Sequence, residues 1–160
     1  MTAQKHTHAH KHDHSACIHG ALEAAARLCE ARGSRLTPLR QQVLEALWGS
    51  HNAQGAYDVL HALNNRAKKK LAPLSVYRAL DFLVEEGLAH RIESLNAYVG
   101  CPHPGERHAL QFLICSSCRL VVELDESKIN KTLDASASTH GFTPARTVVE
   151  VVGTCAACAA

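Results

Sequence analysis

Residues 73–99, PLSVYRALDFLVEEGLAHRIESLNAYV, hold the pattern that decides the fold of the first half of this 160-residue chain. Pro73 is a favoured first helical residue and Gly87 a favoured stop, so the sequence predicts a helix over 74–86. Two short apolar runs, 88–92 and 97–99, follow on either side of turn residues 94–96 and predict a small antiparallel hairpin. The stretch therefore predicts one helix that leads directly into a hairpin.

Three further helices are predicted upstream of this stretch. Apolar residues recur at helical spacing over 18–32 before a stop at Gly33, Thr37 and Pro38 mark the start of a second helix, and a third begins at about Ala56. Three or four short helices followed by a hairpin are typical of a winged helix-turn-helix, whose last helix enters the major groove of DNA. An ordinary helical bundle with an edge hairpin remains the alternative.

Two Cys-x-x-Cys pairs, Cys115 with Cys118 and Cys155 with Cys158, dominate the second half of the chain. Each pair can offer two thiolates to one metal ion, and two pairs complete the tetrahedral four-sulfur set of structural zinc sites. Redox-active pairs normally open a helix, whereas the first pair here lies between two β-like runs. The spacing favours structural zinc over unrelated or redox-active thiol pairs.

The elements around these cysteines predict a small second domain. Strands are expected over 110–114, 120–124 and 146–152, with a helix over 127–139. Such a unit has little core, so zinc and dimerisation are expected to stabilise it. The predicted fold class is α+β, with an N-terminal winged helix-turn-helix followed by a small α/β dimerisation domain held together by a four-cysteine zinc site.

Four segments follow from these predictions. They are a disordered His-rich tail (1–16), a winged-helix DNA-binding domain (17–99), a hinge (100–109) and a dimerisation and metal-binding domain (110–160). The tail cannot bury a core. Its histidines either capture metal loosely or belong to a solvated segment that has no selected role.

Composition bounds the class of protein. Hydrophobic residues make up 46% of the chain, but no apolar run approaches the ~20 residues of a membrane helix. The His-rich N-terminus is unlike a signal peptide, and seven cysteines are an odd count for a disulfide framework. We therefore expect a soluble, cytoplasmic protein with reduced thiols.

The charges are unevenly distributed along the chain. Residues 1–95 contain 12 Lys plus Arg against 9 Asp plus Glu, whereas the rest of the chain contains 5 against 6. This small basic excess is a weak indication that the first half binds nucleic acid.

Several short motifs occur in a specific order over about residues 20–158. They are Arg35-Leu-Thr-Pro-x-Arg40, Tyr57-Asp58, Ser75-Val-Tyr-Arg78-Ala-Leu, Glu86-Gly87-Leu88 and the two Cys pairs. This ordered set resembles the ferric uptake regulator family. Segments 76–83 and 89–101 look like its zinc-sensing branch, the zinc uptake regulators.

The resemblance implies a homodimeric, zinc-responsive transcriptional repressor that controls zinc uptake and homeostasis genes. Its winged helix would bind a pseudo-palindromic operator in double-stranded DNA. Two zinc ions per subunit are implied, one structural in the four-cysteine site and one regulatory. The ligands of the regulatory zinc carry over to His90, Cys101, His108 and Glu123. One thiolate, two imidazoles and one carboxylate suit zinc, whereas an iron or manganese site would favour nitrogen and oxygen.

The resemblance also implies the DNA contacts. Tyr77 and Arg78 would meet base edges, because a tyrosine ring packs on thymine methyl groups and arginine can grip guanine through two hydrogen bonds. Arg35, Arg40 and Tyr57 would contact phosphates or the adjacent minor groove. Ser75, in the same motif as Tyr77, is assigned to the interface and replaces the more usual threonine.

Departures from the family pattern concern a third metal site. Ala109, Gln111, Phe112 and Thr147 stand where iron-sensing relatives place further ligands, which argues against such a site here. His103, near Cys101, is a candidate substitute ligand, although Pro102 and Pro104 restrict its reach.

Other functions remain as alternatives. A relative within the family could sense iron, manganese, nickel or peroxide, and a protein outside it could be a zinc buffer or metallochaperone. A thiol redox enzyme is a third alternative, but no pairing of nucleophile and base is apparent, so we expect no enzyme activity.

Overall fold

The computed structural model describes residues 14–50, 52–106 and 108–159, and the chain divides after Glu106 into two compact units. This division falls inside the segment predicted as a hinge. Most of the predicted His-rich tail lies outside the described residues. Its last three residues, 14–16, belong to a helix, so the predicted tail extended too far toward the first domain.

Four helices build the first unit. They are α1 (His14–Arg32), α2 (Pro38–Trp48), α3 (Ala56–Arg66) and α4 (Pro73–Glu85). Helix α1 begins four residues earlier than its apolar spacing predicted. In the described part of the chain, no helix is long and apolar enough to cross a membrane.

The ends of these helices follow from single residues. Gly33 and Gly87 adopt left-handed φ angles of 68° and 67° directly after α1 and α4, a conformation that glycine takes without steric cost. Prolines open α2 and α4. At the start of α3, the Gly55 N–H donates to the Asp58 carboxylate at 2.9 Å. Thr37 occupies the expected N-cap position, but within the described residues its hydroxyl makes no capping hydrogen bond.

The hairpin after α4 is the wing. Strand β1 (Ala89–Ile92) pairs antiparallel with β2 (Ala97–Gly100), and one turn of 3-10 helix joins them. Gln54 adds an isolated bridge outside β2, exchanging two backbone hydrogen bonds of 2.8 and 3.0 Å with Tyr98. The wing is therefore anchored to the segment before α3, a contact that the sequence did not predict.

An aliphatic core holds the first unit together. Its fully buried members include Val43, Leu44, Leu47, Val59, Val76, Leu80, Leu83 and Leu88. Each such side chain contributes about 1.5–3 kcal/mol relative to exposure. Because α4 buries Val76, Ala79, Leu80 and Leu83, its opposite face remains in solvent.

The second unit is a three-stranded sheet with one helix. Its elements are β3 (Leu110–Cys115), β4 (Val121–Leu124), α5 (Ser127–Thr139) and β5 (Val148–Gly153). The strand order is β4-β3-β5, with β3 antiparallel to β4 and parallel to β5. Within the described residues, α5 contributes no buried side chain, so Phe112, Ile114 and Leu120 provide most of the apolar interior.

Candidate metal centres and nucleic-acid interface

The four predicted zinc-binding cysteines form one cluster. The sulfur atoms of Cys115, Cys118, Cys155 and Cys158 all lie within 4.8 Å of one another. The Cys118 and Cys155 sulfurs are 3.8 Å apart. The structure thus brings together two sequence pairs that more than thirty residues separate.

Strand pairing explains the convergence. Strands β3 and β5 run parallel, with Cys115 opposite Gly153, so both strands deliver their carboxyl ends to the same edge of the sheet. The backbone N–H and hydroxyl of Ser116 both donate to the Gly153 carbonyl, at 2.8 and 3.1 Å. Arg119 turns the chain back with a φ of 61°. These contacts fix the two Cys-x-x-Cys turns against each other.

The backbone also prepares one sulfur to ionise. N–H groups of Cys118 and then Cys155 point at the Cys115 sulfur and lower the pKa of its thiol to about 6. The Cys155 N–H lies 3.4 Å from that sulfur. Hydrogen bonds with the neighbouring Cys155 and Cys118 raise the pKa of Cys158 to about 12. Four sulfurs this close repel one another once ionised, which a divalent cation would relieve.

This donor set fits zinc. Four thiolates within mutual reach match the closed tetrahedral coordination of structural zinc, which leaves no position for a substrate. Cys115 is buried and Cys118 and Cys155 are half-buried, so the cluster is partly shielded from solvent. A soft, all-sulfur site is a poor match for magnesium, calcium or manganese.

Two of the four predicted regulatory ligands meet within the first unit. His90 lies on β1 opposite Val99, and Cys101 follows β2 directly. A ring nitrogen of His90 and the Cys101 sulfur lie within 4.8 Å of each other, and both residues are buried. The pairing of the wing strands therefore places one imidazole and one thiol together.

The other two predicted ligands meet within the second unit. The Nε2 atom of His108 lies 3.0 Å from Oε1 of Glu123, and both side chains are largely buried. Glu123 reaches this position because β4 pairs with β3, where it lies opposite Phe112. Imidazole and carboxylate are both zinc donors, so each unit contributes one pair of suitable ligands.

Gln111 is one of the residues that replace the ligands of a third metal site, and its side chain makes neutral hydrogen bonds instead. Gln111 is buried on β3, and its side-chain N–H group donates to the Asn130 side-chain oxygen at 3.0 Å and to the Glu126 carbonyl at 3.1 Å. Amides are weak ligands beside carboxylates and imidazoles. Gln111 thus connects the sheet to α5 rather than offering a charged donor.

The exposed face of α4 carries the predicted base-reading residues. Tyr77 and Arg78 both face solvent, and Ser75 lies in the first turn of the helix. Tyr57 on α3 is 67% exposed, and its ring packs edge-on against Tyr77 with centroids 6.2 Å apart. Exposed aromatic rings beside an arginine form a surface suited to bases and sugars.

Arg40 has a structural contact that the sequence did not predict. Its guanidinium lies 3.4 Å from the centroid of the Phe82 ring on α4 and donates a hydrogen bond to the Arg35 carbonyl. Arg40 is half-buried, whereas the side chain of Arg35 is exposed. Of these two predicted phosphate contacts, Arg35 is the more accessible.

A run of three lysines precedes α4 and was not predicted to be part of the interface. Lys68, Lys69 and Lys70 are all exposed. Asn64 fixes the end of the loop, because its side-chain oxygen accepts the Leu71 N–H at 2.7 Å and its carbonyl accepts the Lys70 ammonium at 3.2 Å. The sequence feature that could have assigned this loop to the interface is the absence of any Asp or Glu from 59 to 80.

With this geometry established, the family follows from comparison with known proteins. The model of the ferric uptake regulator family matches residues 31–152. The chain belongs to the ferric uptake regulator family. The zinc uptake regulation protein of Escherichia coli is 38% identical over 139 residues, which cover 86% of this chain and 80% of that protein. A zinc uptake regulation protein of Mycobacterium tuberculosis is 28% identical over 134 residues.

Solved structures agree with this membership. A zinc uptake regulator complexed with zinc and DNA matches with a TM-score of 0.83 and 36% identity, covering 89% of this chain and 95% of that chain. The crystal structure of holo XcZur matches with a TM-score of 0.75 and 41% identity, covering 87% and 98%. The predicted family, its zinc branch and the α+β winged-helix fold are confirmed. Membership also confirms a regulator rather than an enzyme.

Proposed function

We propose that this protein is a zinc-responsive, DNA-binding transcriptional repressor that controls genes of zinc uptake and homeostasis. The observation that carries the proposal is the likeness, at 36% identity and over 95% of its length, to a zinc uptake regulator complexed with zinc and DNA. The exposed Tyr77–Arg78 face and the two sets of candidate zinc ligands supply the chemistry that such a function needs. We place its action in the cytoplasm, where operators are accessible.

Each subunit uses two zinc ions in this proposal. Cys115, Cys118, Cys155 and Cys158 hold a structural zinc that contributes to the folding free energy of the second unit. His90, Cys101, His108 and Glu123 hold the regulatory zinc. The pairing of His90 with Cys101 and of His108 with Glu123 supports this assignment, because each unit offers half of a tetrahedral set.

Regulation follows from the division of these ligands. His90 and Cys101 belong to the DNA-binding unit, whereas His108 and Glu123 belong to the second unit. Sharing one ion favours the arrangement of units in which all four donors converge. Zinc can shift that equilibrium only by its greater affinity for this arrangement. The repressor then presents its recognition helices to the operator.

DNA recognition uses the exposed face of α4 in the major groove. Tyr77 and Arg78 contact base edges, with Ser75 beside them. Tyr57, Arg35 and Arg40 contact the phosphates or the adjacent minor groove. Lys68 and Lys69 extend this basic surface along the backbone of the duplex.

A homodimer would provide two such helices for a pseudo-palindromic operator. The second unit carries large apolar side chains that its own fold leaves exposed. These are Leu113, Leu133, Phe142, Val151 and Val152, each 40% exposed or more. A second copy of the chain is the partner that would cover them.

A DNA mobility-shift experiment that compares zinc, iron and manganese tests the proposal. The expected result is operator binding that rises with zinc at concentrations where iron and manganese have little effect. Preferential activation by iron or manganese would reassign the sensed metal. Failure to bind any operator upstream of zinc-transport genes in the presence of zinc would favour a zinc buffer.

A further inference from the structure

Trp48, the last residue of α2, lies directly against Gly100, the last residue of β2. A Cβ atom added to Gly100 would lie 2.4 Å from Nε1 of the indole, 2.7 Å from Cε2 and 2.8 Å from Cδ1. Such separations are far inside ordinary van der Waals contact. The ring therefore touches the backbone itself, and only glycine fits at position 100 while the ring stays in place.

Gly100 immediately precedes the proposed regulatory ligand Cys101. The Cys101 N–H donates to the Leu88 carbonyl at 3.0 Å, and the residue is only 2% exposed. The main chain at this point is thus hydrogen-bonded at one residue and pressed by an indole at the residue before. Both contacts constrain the backbone that carries the Cys101 side chain.

A cavity of about 250 Å³ lies beside this contact. Trp48 and Cys101 both line it, together with Leu88, Pro102 and small residues of α1 such as Ala21. The indole therefore borders empty space on this side. A substituent at position 100 could displace the ring into the cavity and release the backbone.

We infer that Trp48 is a positioning residue for regulatory zinc: its indole, pressed against Gly100, sets the place of the Cys101 thiol. The inference rests on the proposed function, in which Cys101 binds the regulatory ion. It also gives that ligand a direct connection to α2, since Val43, Leu44 and Leu47 of the same helix pack in the core with α4. The position of the metal ligand and the scaffold of the recognition helix are thereby coupled.

The test uses full-length protein with its structural zinc and four variants: Gly100→Ala, Trp48→Ala, Trp48→Phe and Cys101→Ser. Regulatory zinc affinity is measured by chelator competition, structural zinc by metal content, and folding by thermal unfolding. Gly100→Ala and Trp48→Ala should each weaken the regulatory site by roughly ten- to a hundredfold, the range found when support of a metal ligand is lost. Structural zinc should stay at one ion per subunit. Trp48→Phe, which keeps a flat ring, should retain most of the affinity.

A double variant separates positioning from general damage. In the Trp48→Ala background the added methyl of Gly100→Ala meets no ring, so the double variant should bind zinc no more weakly than Trp48→Ala alone. Independent structural damage would instead be additive. Additive losses, or wild-type affinity in both single variants, would overturn the inference.

Fluorescence gives a second readout. Trp48 is the only tryptophan of the chain, so its emission should change as the regulatory site of the wild type fills. Cys101→Ser should lose both that change and the affinity. If Cys101→Ser binds the second zinc normally, the ligand assignment in the proposed function fails. If Cys101→Ser is impaired while Gly100→Ala and Trp48→Ala are normal, only the positioning role fails.

Discussion

The Arg40 guanidinium lies over the Phe82 ring at 3.4 Å from its centroid and thereby joins α2 to α4. Such a cation–π contact contributes about 0.5–1 kcal/mol when exposed and ~2 kcal/mol when desolvated. Arg40 is half-buried, so its contribution falls between these limits. A residue predicted from sequence only as a phosphate contact therefore also holds the recognition helix in place.

Arg40→Ala should lower the free energy of unfolding of the first unit by about 1 kcal/mol, because the stacking contact is lost. Arg40→Lys should restore only part of it, since an ammonium lacks the flat face of a guanidinium. Denaturant unfolding measures both. Arg35→Ala is the matched control, since its side chain is exposed, and should leave stability unchanged. An Arg40→Ala protein as stable as the wild type would show that the contact is energetically silent.

Arg78→Ala should relax sequence preference at particular operator positions. An arginine that makes two hydrogen bonds to guanine discriminates against the other bases by about 1–3 kcal/mol. Arg78 faces solvent on the helix before the wing and is therefore accessible to a base. Affinities for a series of single-base operator changes measure the effect. Arg35→Ala serves as comparison, because loss of a phosphate contact weakens all sequences alike. A uniform loss for Arg78→Ala would remove its base-reading role.

The double variant Lys68→Ala/Lys69→Ala should reduce the salt dependence of DNA binding. Each lost phosphate contact lowers the slope of log affinity against log salt by about 0.9, so two contacts predict a decrease of about 1.8. Binding at several salt concentrations measures it. Lys128→Ala/Lys131→Ala, on exposed positions of α5, removes the same charge from the second unit. Equal slope changes in both double variants would indicate net charge rather than contact.

Cys155→Ser should release the structural zinc and unfold or monomerise the second unit, since the metal supplies folding free energy. Metal content and sedimentation report the two effects. Cys17→Ser, a change of a half-buried thiol on α1 outside the cluster, should alter neither. A Cys155→Ser protein that remains dimeric with full zinc content would contradict a structural role.

His90→Ala and Cys101→Ser should keep the structural zinc and the dimer but weaken zinc-dependent operator binding. Each removes one donor from a proposed set of four, and the partner in its pair is left alone. DNA binding across a zinc titration measures the loss. His103→Ala tests the substitute ligand and should behave as the wild type. Normal repression by His90→Ala would exclude the imidazole from the regulatory set.

Most of the helices and strands could be predicted from the sequence because proline and glycine mark their ends. Pro73 and Gly87 enclose α4 to within one residue, and the helix over 127–139 coincides with α5. The four cysteines could be grouped because zinc dictates both residue type and spacing. Local chemistry was enough for these features.

Contacts between distant residues were not predictable in the same way. Trp48 with Gly100, Arg40 with Phe82 and Gln54 with Tyr98 each join residues far apart in the sequence, and no local pattern encodes these contacts. The early start of α1 was missed because residues 14–17 lack the apolar spacing on which the prediction relied. The pairing of His90 with Cys101 depended on family resemblance, since neither residue has a local motif of its own.

Because Trp48 contacts Gly100, helix α2 and the wing of this chain cannot be exchanged independently in engineered variants. A chimera that takes α1–α3 from this chain and a wing from a relative with any side chain at position 100 would place that side chain inside the indole. The reverse exchange would leave a wing with glycine beside an unfilled space. A wing from a relative can therefore be grafted onto helices α1–α3 of this chain only if residues 48 and 100 are exchanged together.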